Sequence, residues 1–184
     1  KRQVFRHPIS GTDYIKRVIG LPGDRIQMKA SKLYINEVPV KTKRTEDFIE
    51  IYARQGSMGN RPICANGVVG LGGDCIKKKY TETLPNGLSY GILDAIDQDS
   101  LKLGGRLNLD STKVYSVPKN HFFFMGDNRD NSSDSRVAQS LGGVGFVPLE
   151  DIVGRADRIL FSSAGRSMLA FWTWRANRYF KAVN

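Results

Sequence analysis

Lys16 lies inside an apolar, β-prone run, Asp13-Tyr14-Ile15-Lys16-Arg17-Val18-Ile19-Gly20, that stops at Leu21-Pro22-Gly23-Asp24. Val, Ile and Tyr favour a half-buried strand, and Pro followed by Gly marks a turn. As a strand the run puts Tyr14, Lys16 and Val18 on one face and Ile15, Arg17 and Ile19 on the other. A free lysine titrates near 10.4, so almost all of it is ammonium at pH 7. Burial penalises the ammonium, and a drop of ~2–3 units corresponds to roughly 3–4 kcal/mol. Tyr14, Val18 and the apolar run Phe122 to Met125 are the groups to supply that burial. A neutral lysine is a general base for a serine hydroxyl. Arginine stays protonated, so Arg17 is structural or electrostatic.

The partners for these cations lie far along the chain, in Met125-Gly126-Asp127-Asn128-Arg129-Asp130-Asn131-Ser132-Ser133-Asp134-Ser135-Arg136. Three aspartates, two arginines, two asparagines and three serines fall within residues 126–136, so the segment is a polar loop. Its charges must pair with each other or with a cation such as Arg17. It fails as a calcium loop: counted from Asp127, the third position is Arg129, the sixth is Ser132 and the twelfth is Ala138.

Short apolar runs separated by glycine and proline must position these residues, and they predict a mostly β fold. Residues 3–6 read as a strand, then 13–19, then 25–28. Lys32-Leu33-Tyr34-Ile35 and Val38-Pro39-Val40 read as a hairpin around Asn36-Glu37. Residues 113–117 and 121–125 are further strands, the second delivering Gly126 as the start of the loop. Residues 146–156 and 159–162 complete the core. Between these, residues 43–112 change character, with polar stretches, both cysteines and the run Lys77-Lys78-Lys79, read as a solvated loop. The expected organisation is a β-rich catalytic core from 1–42 and 113–184 with a smaller β domain, 43–112, inserted in it.

A net charge of +10 is unevenly spread: residues 1–80 hold 16 basic and 7 acidic side chains (+9), and the rest hold 12 and 11 (+1). Such an excess suits an anionic membrane surface or a nucleic acid, or is a basic soluble surface. No zinc-finger spacing and no aromatic-rich RNA signature accompanies it, so nucleic acid is not the expected partner. Cys64 and Cys75, with His7 and His121 distant, make no zinc site. They are compatible with a small loop disulfide and equally with two free thiols. No run of ~20 apolar residues is present. The first residues read as a strand already under way, with no initiating Met, and lead us to expect a piece of a longer chain. Leu169, Trp172, Ala176, Tyr179 and Val183 recur at roughly helical spacing among basic residues. They fit a basic interfacial helix or a terminal element packed on the core.

Taken together, Tyr14-Ile15-Lys16-Arg17 with Gly20-Leu21-Pro22-Gly23-Asp24, and Gly126 through Arg136, resemble the lysine box and the C-terminal box of the bacterial type I signal peptidases. Gly145-Phe146-Val147-Pro148 and Val153-Gly154-Arg155-Ala156 also resemble that family's segments downstream of the second box, in the same order. The resemblance covers about 1–40 and 113–160. It implies a Ser-Lys endopeptidase without metal or cofactor. Lys16 would be the general base, Ser132 would orient its amine, and Asp127 with Arg17 and Asp134 with Arg136 would brace the loop. Tyr14 and Ile15 would help line pockets for small side chains. The implied substrates are the signal peptides of exported preproteins, cut at the outer face of the bacterial cytoplasmic membrane.

The family's nucleophilic serine lies several tens of residues before the lysine, in a Ser-Met-x-Pro segment after the membrane anchor. Only fifteen residues precede Lys16 here. Ser10 is followed by Gly11, and Ser57-Met58 comes after the lysine and lacks the proline, so neither is assigned. The nucleophile is therefore expected upstream, and this stretch alone is expected to be inactive. From another class, the alternative is a non-catalytic basic module that keeps the fold and binds membrane or nucleic acid.

Overall fold

The structure, a computed structural model, describes residues 2–7, 10–55, 59–99, 107–160, 162 and 179–183. Its strands are β1 Arg2–Arg6, β2 Asp13–Gly20, β3 Arg25–Lys29, β4 Lys32–Ile35, β5 Val38–Pro39, β6 Lys41–Arg44, β7 Phe48–Ile51, β8 Asp74–Lys77, β9 Lys79–Thr83, β10 Ser89–Leu93, β11 Tyr115–Ser116, β12 His121–Met125, β13 Val147–Pro148, β14 Ile152–Arg155, β15 Arg158–Ile159 and β16 Lys181–Ala182. Short 3-10 turns at Arg129–Asn131, Gln139–Leu141 and Leu149–Asp151 are the only helical elements among the described residues. The fold is mostly β, as the sequence predicts.

The lysine strand is central. A five-stranded sheet runs β13-β12-β2-β1-β14, and β2 pairs antiparallel with β1 on one side and β12 on the other. Strand alternation then divides the apolar side chains between two clusters. Phe123, Met125 and Ile19 join one with Ile26, Leu33 and Val117. Phe124 joins Phe5, Val144 and Val147 in the other, with Tyr14 and Val18 packed against it. Because β12 is covered on both faces, its sequence reads as unbroken apolar residues rather than an alternation. Each phenylalanine buried there contributes about 1.5–3 kcal/mol of transfer free energy.

The sheet β11-β3-β4-β5 supplies the first cluster's floor. The hairpin between β4 and β5 has Asn36 and Glu37 both at positive φ, 52° and 69°, the geometry of a two-residue turn matched to strand twist. The Asn36 side chain holds it, accepting from Arg25 N (2.8 Å) and donating to Asp24 (2.8 Å).

β6, β9 and β10 form a third sheet. Its Leu84, Tyr90 and Ile92 share the first cluster with Leu33, Val40 and Phe123, so 79–93 packs on the same core as the lysine strand. β7 and β8 make a separate hairpin, near which Cys64 and Cys75 are joined by a disulfide.

Three details differ from the sequence reading. Lys77 is not in a solvated loop: it ends β8, is 2% exposed and pairs with Glu50 at 2.5 Å, while Lys78 and Lys79 are exposed. Strand alternation buries it on the face of Cys75, where a carboxylate is waiting. The expected continuous strand 146–156 is broken by the Leu149–Asp151 turn into β13 and β14. Residues 158–159 pair with Lys181–Ala182 rather than with the central sheet. Most of the amphipathic segment 169–183 lies outside the described residues, as does Ser57-Met58.

Candidate active site

β2 delivers Lys16 and Arg17 to opposite faces of the central sheet, and the loop leaving β12 reaches both. The Lys16 Nζ donates to Ser132 Oγ at 2.9 Å. Burial pushes the Lys16 amine below its ordinary value. The nearby Asp134 and Asp127 carboxylates oppose that shift, and the Arg136 guanidinium adds to it. The turn Arg129–Asn131 folds Ser132 back over Gly126, and a Cβ on Gly126 would lie 2.1 Å from Ser132 Oγ. Only glycine leaves room for that hydroxyl.

Behind the lysine, Arg17 is 2% exposed and grips Asp127 through two parallel hydrogen bonds, Nε to Oδ1 at 2.9 Å and Nη2 to Oδ2 at 3.0 Å. Arg2, paired with Arg17 across β1 and β2, donates to the same carboxylate at 2.5 and 3.1 Å. Burial alone would raise the Asp127 pKa, but the hydrogen bonds and charges of Arg17 and Arg2 overcome it and hold the carboxyl below the ordinary range.

Further along the loop, Asp134 is fully buried and paired side-on with Arg136, Nε to Oδ1 and Nη2 to Oδ2 both at 2.9 Å. It also accepts from Gly126 N at 3.0 Å. Burial acts to raise Asp134 as well, and Arg136 together with the backbone N–H groups brings it below the ordinary carboxylate value. The Arg136 guanidinium reaches back to the Arg129 carbonyl at 2.6 Å, so the loop is cross-braced through its own backbone.

The structure therefore brings together Lys16 with Ser132, Arg17 with Asp127, and Asp134 with Arg136. It adds residues that sequence reasoning misses. Arg2 carries no local signal, because its part depends on the pairing of β1 with β2. Arg129, inside the loop, is buried against Glu82 of β9 (2.5 Å), and Tyr90 of β10 donates to the same Glu82 oxygen (2.7 Å). Asp130 accepts from the Ala95 and Ile96 backbone N–H groups at 2.5 and 3.3 Å. Asp94 and Asp110 come close to Asp130, with one oxygen from each of the three within 4.8 Å. Burial, then the charges of Asp130 and Asp110, push Asp94 up to about 7, so near neutral pH it holds a proton part of the time.

Ile15, 58% exposed, Gly126, Asn128 and Asn131 line a cleft of about 300 Å³ with Lys16 and Ser132. Tyr14 packs beside it, stacked on Phe5 with centroids 5.9 Å apart and 5.6 Å from His7. Its ring centroid is 5.8 Å from the Lys16 amine. A partly desolvated amine, held by one hydroxyl at the edge of an open cleft, has an environment that favours its neutral, proton-accepting form more than water does.

The fold is β-rich, and comparison with known proteins assigns its family. The family model described as "Signal peptidase, peptidase S26" matches residues 3–161. The chain belongs to that family. It is 39% identical over 168 residues to signal peptidase I of Rickettsia typhi (strain ATCC VR-144 / Wilmington), covering 87% of this chain and 50% of that protein. The Rickettsia prowazekii (strain Madrid E) signal peptidase I is 38% identical over 168 residues with the same coverage. A crystal structure of a signal peptidase I from Enterococcus faecalis V583 aligns with 84% of this chain and 92% of its own, at 21% identity and a TM-score of 0.40. The chain spans about half the length of the Rickettsia relatives it matches.

Proposed function

We propose that this chain carries the general base of a membrane-bound serine endopeptidase that removes signal peptides from exported preproteins at the outer face of the bacterial cytoplasmic membrane. The observation that carries the reading is the partly buried Lys16 amine, 2.9 Å from Ser132 and open to the cleft, in a chain of the signal peptidase family. Neutral Lys16 takes the proton of a serine hydroxyl as that oxygen attacks the scissile carbonyl carbon. The resulting ammonium returns the proton to the leaving amine as the C–N bond breaks. Water, deprotonated by the same amine, then hydrolyses the acyl-enzyme. By the family resemblance the nucleophile is the serine of a Ser-Met-x-Pro segment that comes before the lysine in chain order. Ser132 keeps the amine aimed, Ile15 and Tyr14 shape the pockets for small side chains, and the ion pairs of Asp127 and Asp134 hold the loop. No metal or cofactor takes part in this scheme. Among the described residues no helix is long and apolar enough to cross a membrane. The lipid surface enters through the family resemblance and the basic first half of the chain.

The 2.9 Å contact also favours a second reading, in which Ser132 is itself the nucleophile. The full-length protein, assayed for preprotein cleavage, separates the two. As an orienting group Ser132 supplies one hydrogen bond to an amine, so Ser132→Ala lowers kcat roughly 10- to 100-fold. Loss as complete as that of Lys16→Ala would make Ser132 the nucleophile instead. Gly126→Ala is expected to cost about as much as Ser132→Ala, because the new Cβ must push Ser132 Oγ off the amine. A Gly126→Ala enzyme with unaltered turnover would show that the contact is incidental.

A further inference from the structure

β9 and β10 send two buried side chains into the site that no step of the proposed chemistry uses. The Glu82 Oε2 accepts the Tyr90 hydroxyl at 2.7 Å and Arg129 Nη2 at 2.5 Å, and both Glu82 and Arg129 are at most 2% exposed. The face of the Tyr90 ring lies 3.9 Å from the Arg17 guanidinium carbon. Arg129 in turn donates through Nε to the Gly126 carbonyl at 3.2 Å, and its own carbonyl accepts from Arg136. One carboxylate thus touches both halves of the site. Through Tyr90 it reaches Arg17, the neighbour of Lys16 on β2. Through Arg129 it reaches the loop that carries Ser132. The end of β10 reinforces the link, with Leu93 N donating to the Asp127 carbonyl at 2.7 Å.

We propose that Glu82 and Tyr90 are positioning residues for the Lys16–Ser132 pair, fixing the lysine strand and the 126–136 loop against each other. The inference rests on the proposed function and deepens it. A guanidinium over an aromatic face is held most strongly where water is excluded, and the Glu82 hydrogen bond fixes the angle of that face. With the face removed, the planar two-point grip of Arg17 on Asp127 loosens. The Asp127 charge is then less fully offset, and that charge favours the protonated form of Lys16. Turnover and the protonation of Lys16 should therefore change together, while substrate affinity, set in the cleft, does not.

The test uses the full-length protein and two readouts: steady-state cleavage of a preprotein, and labelling of Lys16 by an amine-reactive reagent as a function of pH, quantified by mass spectrometry. Tyr90→Met keeps the bulk without the aromatic face. It should lower kcat roughly 10- to 100-fold with KM within about twofold, and move Lys16 labelling to higher pH. Tyr90→Phe, which restores the face, should recover most of the loss. A folded Tyr90→Met protein with wild-type kcat and an unmoved labelling profile would overturn the proposal, as would failure of Tyr90→Phe to recover activity. If Tyr90→Met does not fold, Glu82→Gln, isosteric and uncharged, is judged on the same two readouts. Should Lys16→Ala cleave normally, the assignment of Lys16 as the base falls, and the labelling profile alone still decides whether Tyr90 positions Lys16.

Discussion

Lys16→Ala in the full-length protein is expected to lower preprotein cleavage roughly ten-thousandfold or more while leaving the fold nearly intact. A positioned base contributes on the order of 10²–10⁴-fold by itself, and in a nucleophile–base unit the loss of either member approaches the loss of the whole. Stability should change by no more than about 1 kcal/mol, because the lost hydrogen bond to Ser132 is offset by no longer desolvating an ammonium. Lys16→Arg should be as inactive as alanine, since a guanidinium keeps its proton throughout the working pH range. On the proposed mechanism activity requires the neutral amine, so the wild-type rate should climb with pH along a limb that belongs to Lys16. Burial places that limb below the ordinary lysine value of 10.5. A non-catalytic basic module would give the opposite outcome, with function indifferent to Lys16 and sensitive to exposed cations such as Lys78 and Lys79. Cleavage by Lys16→Ala at the wild-type rate would remove the lysine from the chemistry altogether.

The lysine strand is legible in the sequence because its whole signal is local. Four β-prone residues around Lys16, a Leu-Pro-Gly-Asp stop and strict alternation place the amine and the guanidinium on opposite faces, as observed. The loop is legible for a related reason: charges so dense within 126–136 must pair among themselves, and Asp134 with Arg136 does so two residues apart. Long-range partners leave no such trace. Arg2 meets Asp127 across 125 residues, and nothing near position 2 announces it. Glu82 and Tyr90 sit in an ordinary alternating hairpin, Lys79 to Leu93, and only the register of β9 against β10 turns them toward Arg129 and Arg17. Lys77 misleads because a run of three lysines looks solvated in sequence, whereas β8 ends on Lys77 and its alternation turns that side chain to the buried face of Cys75, beside Glu50. The same physics acts on 146–156: its apolar content is that of a strand, and the 3-10 turn at Leu149–Asp151 divides it.

Asp134→Asn should uncouple two properties of the site, lowering stability by about 3–5 kcal/mol while shifting the activity limb of Lys16 to lower pH. Asp134 is fully buried between the Arg136 guanidinium and the Gly126 N–H. Asparagine keeps an acceptor for Gly126 but leaves Arg136 buried without its counter-charge, the costly way to break an ion pair. The same change removes a negative charge that favours protonated Lys16 and exposes the amine to an uncompensated Arg136, and both effects lower its proton affinity. The wild type carries a matching acid sensitivity. Asp127 and Asp134 have folded-state pKa values below the ordinary 3.8, so the stability they contribute is complete above that value. It is lost as pH falls from there through the lower folded values. Asp134→Asn should therefore show a shallower fall in stability below pH 3.8 than the wild type, measured by denaturant unfolding across that range. Equal acid slopes in the two proteins would mean that Asp134 is not ionised against Arg136 in the folded state, and the cross-brace of the loop would have to come from the Arg136 contact with the Arg129 carbonyl.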